Sequence, residues 1–207
     1  MRAKPVSLLT KDDLSRQSPF AWACLIVLVG VIGAFWLLDK HQAAYGTLAA
    51  LVGCLGLILP PRERMTALPW RLRRLPRPVD ATPVLATLLS SPGYGVNWFY
   101  GANPYDEVVH LVSGLLAGVV VGSLLAVDGR PRKGTRLALL GAGCGIALGT
   151  SWEIFEWATG LIGDWTDTWT DVALTATGLM IGTAYWGRQS QGESPPLRRA
   201  MDTMGND

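Results

Sequence analysis

The stretch from Asp106 to Val127 reads DEVVHLVSGLLAGVVVGSLLAV. After its two leading acids the only ionisable side chain is that of His110, and as a helix it is long enough to cross about 30 Å of hydrocarbon. Asp106, His110 and three glycines recur at steps of four residues, which places them on one helix face. The stretch therefore predicts a membrane-spanning helix with an acidic end and a glycine face.

The rest of the chain shares this apolar character. Charged residues make up 16% of the sequence, against about 25% in soluble domains, so a membrane protein is the predicted class. The alternation of a closed barrel is absent, which favours helices. We predict an all-α polytopic transmembrane bundle of six spans, five clear and one weak: 20–38, 43–60, 82–100 (the weak span), 106–127, 137–158 and 168–187.

The distribution of Lys and Arg predicts the orientation of these spans. Basic residues fall in blocks before the first span, after the second, between the fourth and fifth, and after the last. Cytoplasmic loops collect such residues, and only a crossing at 82–100 keeps all four blocks on one side. Both termini are then cytoplasmic, with an N-terminal segment at 1–19, one transmembrane domain at 20–187 and a disordered tail at 188–207.

Carboxylates accumulate in the second half of the chain, where no Lys or Arg accompanies them within the apolar stretches. Ionisable groups at membrane depth are costly and are candidates for function. The six-span arrangement brings all of these acids to the extracytoplasmic side, and Glu107 and Asp164 are expected to be solvated there. The seven acids are Asp106, Glu107, Glu153, Glu156, Asp164, Asp167 and Asp171.

Glycine rows predict how the acids converge. The fifth span carries three glycines in line with Glu153, and glycine faces let helices approach closely in lipid. We expect the last three spans to pack on these rows and to present their acids and His110 to one another. The candidate cluster is Asp106, His110, Glu153, Glu156, Asp167 and Asp171, of which Asp106, His110, Glu153 and Asp171 are the candidate metal ligands.

Three motifs in this half resemble a known family. They are Asn103-Pro-Tyr-Asp-Glu-Val-Val-His110, Trp152-Glu-Ile-Phe-Glu-Trp157 and Gly163-Asp-Trp-Thr-Asp-Thr-Trp-Thr-Asp171. In this order they resemble the YjdF-like family of bacterial inner-membrane proteins and, more distantly, the VanZ-like proteins. Trp152 stands where that family usually has tyrosine, and the loop after it is shorter than usual. The resemblance implies a six-span protein of the bacterial inner membrane and supplies no substrate and no catalytic residue.

Three kinds of function are open at this point. The first is a divalent-metal site, with or without catalysis on a lipid or envelope substrate, because Asp, Glu and His ligate Zn, Mn and Fe. The second is a proton- or cation-coupled transporter, and the third is a non-catalytic accessory protein. The sequence contains neither His-Glu-x-x-His nor Gly-x-Ser-x-Gly, so it leaves open whether the protein is an enzyme.

The lipid bilayer is the expected partner, and no feature indicates nucleic acid. The Arg62–Arg77 segment contains six arginines and Trp70, which favours contact with anionic lipid at the membrane surface. An ordinary cytoplasmic loop is the other interpretation of this segment. Tryptophans on the predicted outer side indicate an interfacial aromatic belt: Trp98, Trp152, Trp157, Trp165 and Trp169.

Overall fold

The computed structural model describes residues 10–100, 103–159 and 165–192. These residues form helices and turns without any strand, which confirms the predicted all-α class. Two short 3-10 segments, Arg62–Arg64 and Arg77–Asp80, flank the fourth helix. The α-helices are α1 (Lys11–Ser15), α2 (Pro19–Leu37), α3 (His41–Ile58), α4 (Trp70–Arg73), α5 (Ala81–Gly95), α6 (Tyr105–Ala126), α7 (Gly134–Thr159) and α8 (Trp165–Gly192).

Four of the described helices are long and apolar enough to cross a membrane. They are α2, α3, α6 and the part of α7 from Gly134 to Ala158. α5 has only 15 residues, or about 22 Å of helix, and threonines and acids interrupt the apolar run of α8. The protein is therefore a multi-pass membrane protein by its helices, and the number of six spans stays a prediction.

α2, α3 and α5 form the first half of the bundle. Their shared core contains Leu28 and Val84, which are fully buried. The hydroxyl of Ser18 accepts a hydrogen bond from the backbone N–H of Ala21, and Pro19 follows it, which explains why α2 begins there. α5 also contacts α6 and so connects this half to the second.

α8 is the central helix of the second half and packs against both α6 and α7. A Cβ atom at Gly118 would lie 2.7 Å from the carbonyl oxygen of Leu179, and one at Gly182 would lie 2.3 Å from that of Leu115. Only glycine allows the backbones to approach this closely. The facing residues show that α6 and α8 run parallel and that α7 runs antiparallel to both. The expected packing on glycine rows is therefore present.

α5 differs from its predicted form at its C-terminal end. The sequence Ser90–Gly93 predicts a break within a span that reaches residue 100, but the helix continues through Pro92 and ends at Gly95. The hydroxyls of both serines in this stretch donate to the carbonyl of Thr87. Pro92 removes the helical donor to the carbonyl of Leu88, a loss that helices in membrane proteins tolerate.

α8 is longer than predicted. The predicted span ends at residue 187 and a disordered tail begins at 188, but the helix reaches Gly192. Gly187 packs against the side chain of Leu137, and the guanidinium of Arg188 lies against Gly134. These contacts with the start of α7 account for the additional turn. Residues 193–207 of the predicted tail lie outside the described residues.

The basic groups of the second half lie at one end together with Asp128, and the acids near the N-terminal ends of α6 and α8 lie at the other. Arg71 lies 2.6 Å from Asp128, so the arginine-rich segment contacts the turn between α6 and α7. Asp106 and Asp171 lie near the N-terminal ends of the parallel helices α6 and α8, at the far end from this turn. The described acids that the sequence singles out therefore share one end of the bundle.

Candidate functional site

α6 and α8 bring Asp106, His110 and Asp171 together. One ligand atom from each side chain lies within 4.8 Å of the other two. The Nε2 atom of His110 is 3.6 Å from Oδ1 of Asp106 and 3.6 Å from Oδ2 of Asp171. Asp106 and His110 are one turn apart on α6, and Asp171 faces them from α8, so the parallel packing of the two helices creates the group.

Thr175 orients the imidazole ring of His110. Its hydroxyl is 3.2 Å from Nδ1 of His110, and it lies one turn after Asp171 on α8. A hydrogen bond to one ring nitrogen leaves the other nitrogen available as a ligand. Nε2, which faces the two carboxylates, is therefore the available atom. Sequence reasoning did not identify this role for Thr175, although its four-residue spacing from Asp171 was a usable signal.

Two of the three separations within this group are close to those between ligands of a single ion. Two ligands bound at about 2.1 Å to a tetrahedral metal lie about 3.4 Å apart. The two separations of 3.6 Å from Nε2 are close to this value and are longer than ordinary hydrogen bonds. An imidazole with two carboxylates suits Zn, Mn or Fe. Asp106, His110 and Asp171 are therefore the described residues that could hold a divalent cation.

Glu153 is buried at the same end of the bundle. Its side chain is 5% exposed, and its Oε1 atom has no hydrogen-bond partner in the part of the chain that the structure describes. It lies one turn beyond Gly149, which packs against Val172 of α8. Its ligand atoms lie outside the three-residue group, so three of the four candidate metal ligands converge. A buried carboxylate with an unpaired oxygen is costly unless a cation or a proton balances its charge.

Glu156 and Asp167 lie around the group. Glu156 is half-buried, and its Oε1 atom accepts a hydrogen bond of 2.9 Å from the indole N–H of Trp152. Asp167 is exposed one turn before Asp171. Glu107 is exposed, as expected, whereas Asp164 lies outside the described residues.

No Lys or Arg of the described chain forms an ion pair with Asp106 or Asp171. Among the described residues, His110 is the only basic side chain that forms an ion pair with Asp106 or Asp171. The side chain of Asp106 is 28% exposed and that of Asp171 is 3% exposed, so the group is accessible from the Asp106 side. The five tryptophans of the expected belt are all exposed: Trp98, Trp152, Trp157, Trp165 and Trp169.

A family model described as "Predicted membrane protein (DUF2238)" matches residues 20–191. The match covers α3, α6, α7 and all but the first residue of α2, and it includes Asp106, His110 and Asp171. No curated protein and no solved structure matches the chain. The family description names a membrane protein and assigns no activity.

Proposed function

The chain belongs to the DUF2238 family of predicted membrane proteins, and we propose that it binds a divalent cation between α6 and α8. Asp106, His110 and Asp171 are the proposed ligands. Glu153 supplies a further negative charge and becomes the fourth ligand if its carboxylate turns toward the ion. One observation carries the proposal: the ligand atoms of two acids and a histidine lie within 4.8 Å of one another at the end of a membrane bundle.

We further propose that the bound cation acts on a lipid or envelope substrate. Three protein ligands leave a coordination position for water or substrate, as catalytic zinc sites do. A cation in this position lowers the pKa of its bound water and so supplies a nucleophile. The exposure of Asp106 provides access from outside the bundle, at the end that the predicted topology places on the extracytoplasmic side.

The alternative function is transport. The close packing of α6 against α8 next to His110 makes a pathway between these two helices unfavourable. A Cβ atom at Gly178 would lie 2.1 Å from the carbonyl oxygen of Leu111, and one at Gly114 would lie 2.4 Å from that of Thr175. The described parts of α6 and α8 therefore leave no room for a passage between them beneath His110. An accessory role without catalysis remains compatible with a cation site of structural function.

Several finer features of location belong to the same proposal. We place the protein in the bacterial inner membrane with six spans and both termini in the cytoplasm. The basic segment then lies on the cytoplasmic surface in contact with anionic lipid, with the half-exposed Trp70 as its anchor. The likeness of the three motifs to the YjdF-like and VanZ-like proteins stays a prediction.

Metal analysis of the purified protein tests the proposed cation site. After extraction in a mild detergent without chelator, the wild type is expected to carry about one Zn, Mn or Fe per chain, because two carboxylates and an imidazole supply three ligands. His110→Ala and Asp171→Asn are expected to reduce the bound metal at least about tenfold, since outer partners alone change affinity by that order.

Glu107→Gln is the matched control, because Glu107 is adjacent to Asp106 in sequence but is exposed on α6. This variant is expected to retain the metal of the wild type. Wild-type protein without metal, both as purified and after incubation with Zn²⁺ or Mn²⁺, would contradict the proposal. Proteoliposome assays that show cation- or proton-linked flux would instead favour the transporter.

A further inference from the structure

The arginine-rich segment between α3 and α5 is held by ion pairs with acids from several parts of the chain. The segment contains six arginines, and its ion pairs join it to α1 and to the turn after α6 as well as to its own acids. Four of the six are paired within the described residues: Arg62 with Asp80, Arg64 with Asp13, Arg71 with Asp128, and Arg77 with Glu63 and Asp80.

Arg73 and Arg74 are the two arginines without such a pair among the described residues. The Nε atom of Arg73 is buried and has no hydrogen-bond partner there. The guanidinium of Arg74 lies 5.7 Å from the centre of the Trp70 ring. A buried donor without an acceptor costs free energy, and two adjacent unpaired cations repel each other. Within the described residues, the guanidinium groups of Arg73 and Arg74 are therefore available to an anion.

Both arginines line a groove of about 510 Å³ together with Trp70, Leu75 and Arg77. The remaining lining residues include Glu63, whose carboxylate accepts hydrogen bonds of 2.6 and 2.8 Å from Arg77. The groove thus carries three guanidinium groups against one carboxylate, which Arg77 already engages. Its charge suits an anion, and its aromatic and aliphatic walls suit a ligand with an apolar part.

A second cavity of about 310 Å³ lies beside the groove at the C-terminal end of α6. Arg74 and Pro76 line both cavities, so the two are adjacent. The second cavity is otherwise lined by Ser123, Ala126 and Val127. Ser123 is 3% exposed, and its hydroxyl has no hydrogen-bond partner in the described part of the chain. Together the groove and this cavity therefore have a cationic end and an apolar end with one unpaired buried hydroxyl.

We propose that this groove binds one anionic glycerophospholipid. Arg73 and Arg74 hold the phosphate, because guanidinium groups match phosphate oxygens in charge and geometry. The hydroxyl of Ser123 donates to an ester carbonyl, and an acyl chain lies along Ala126 and Val127. The inference rests on the proposed contact of the basic segment with anionic lipid and adds a defined site to that contact. It is independent of the cation site at the opposite end of the bundle.

Native mass spectrometry of the full-length protein in detergent, titrated with phosphatidylglycerol, tests this site. The double variant R73Q/R74Q is expected to weaken binding of the first lipid at least about tenfold, because one charge-assisted hydrogen bond is of that order. The matched control R130Q/K133Q removes two exposed charges at the same end of the bundle and is expected to change binding less than about twofold. Ser123→Ala is expected to weaken it about fivefold.

Two further ligands separate the possible sources of the phosphate. Phosphatidylcholine is expected to bind more weakly than phosphatidylglycerol, since its ammonium group meets unpaired arginines. Glycerol 3-phosphate is expected to compete poorly, because it lacks the acyl chains. Equal competition by glycerol 3-phosphate would make this a site for free phosphate esters, and equal binding of both lipids would remove the selectivity for anions. Either result would overturn the proposal.

The control variant also distinguishes a defined site from general attraction to anionic lipid. Equal losses in the two double variants would leave the surface contact intact and overturn only the groove. No effect in either variant would overturn both. R73Q/R74Q is expected to melt at the wild-type temperature in lipid-free detergent, because neither arginine has an ion-pair partner in the described chain. A lower melting temperature for this variant alone would show that the arginines stabilise the fold instead.

Discussion

Asp128 is the residue that joins the basic segment to the second half of the bundle. Its carboxylate accepts hydrogen bonds of 2.8 and 2.5 Å from Arg132, one of 2.6 Å from Arg71 and one from the backbone N–H of Arg130. These hydrogen bonds, chiefly those from Arg132, hold the pKa of Asp128 well below its ordinary value. The ionised form is therefore the one that stabilises this end of the molecule.

The lowered pKa of Asp128 makes the thermal stability of the protein depend on pH. A carboxyl group with a lowered pKa stabilises the fold above its unfolded pKa of about 4, and this contribution is lost as the pH falls below that value. Asp128→Asn is expected to melt at a lower temperature than the wild type at pH 7, and the difference is expected to shrink below about pH 4. Thermal unfolding of both proteins between pH 7 and pH 3 measures it. A difference that stays constant over this range would contradict the assignment.

Glu153 and Thr175 show how far single residues could be identified from sequence. Glu153 follows a long uncharged run among aromatic residues, and this pattern correctly indicated burial. Thr175 carries no charge and occurs among other threonines, so nothing except its spacing from Asp171 distinguished it. Its hydrogen bond to His110 depends on the rotation of α8 against α6, which the sequence does not specify.

At the scale of elements, the glycine rows were the most reliable signal. Rows at four-residue steps indicated which faces of α6 and α7 meet a neighbour, and the structure places those glycines against the backbone of α8. The central position of α8 was not predictable, because its sequence is the least apolar of the three helices. Helix association in lipid depends on close packing and not on hydropathy, so the polar helix can be the central one.

Substitution of these glycines separates a contact face from a lipid-facing one. Gly118→Ala is expected to destabilise the protein by about 1–3 kcal/mol, because the added Cβ atom would lie 2.7 Å from a backbone oxygen that cannot move alone. Gly143→Ala is the matched control, since nothing lies within 4 Å of the corresponding Cβ position. It is expected to be neutral or stabilising, because alanine favours helices. Thermal melting in detergent compares the two, and equal effects would contradict the packing.

α5 shows where local sequence misled. A serine pair, a proline and a glycine in succession predict the end of a helix, yet the helix continues for three residues beyond Pro92. At this end of α5, Gly95 packs against the ring of Phe35 in α2 and Gly93 packs against the ring of Phe99, and these contacts come from the surrounding bundle. Contacts with the rest of the bundle therefore outweighed the local tendency of this sequence to end the helix.

For the whole molecule, the separation of charges predicts its orientation in the membrane. Exposed basic residues such as Lys133 lie at one end and exposed acids such as Glu107 at the other. The positive-inside rule assigns the basic end to the cytoplasm. The two halves meet mainly through the short helix α5, so its crossing determines whether both halves share this orientation.

Cysteine labelling in intact cells tests this orientation. The native Cys24, Cys54 and Cys144 are first replaced by alanine, and a single cysteine is then introduced at Glu107 or at Lys133. A membrane-impermeant maleimide is expected to label position 107 and to leave position 133 unlabelled until the cells are opened. Labelling of position 133 from outside would overturn the six-span topology.

The central position of α8 also has a consequence for biosynthesis. α6 and α7 emerge from the ribosome first, yet they contact each other much less than each contacts α8. The packing of this half therefore depends largely on the last helix. Asp106 and His110 meet Asp171 only once α8 is in place. The proposed cation thus binds only after translation of α8, and its binding reports that assembly of this half is complete.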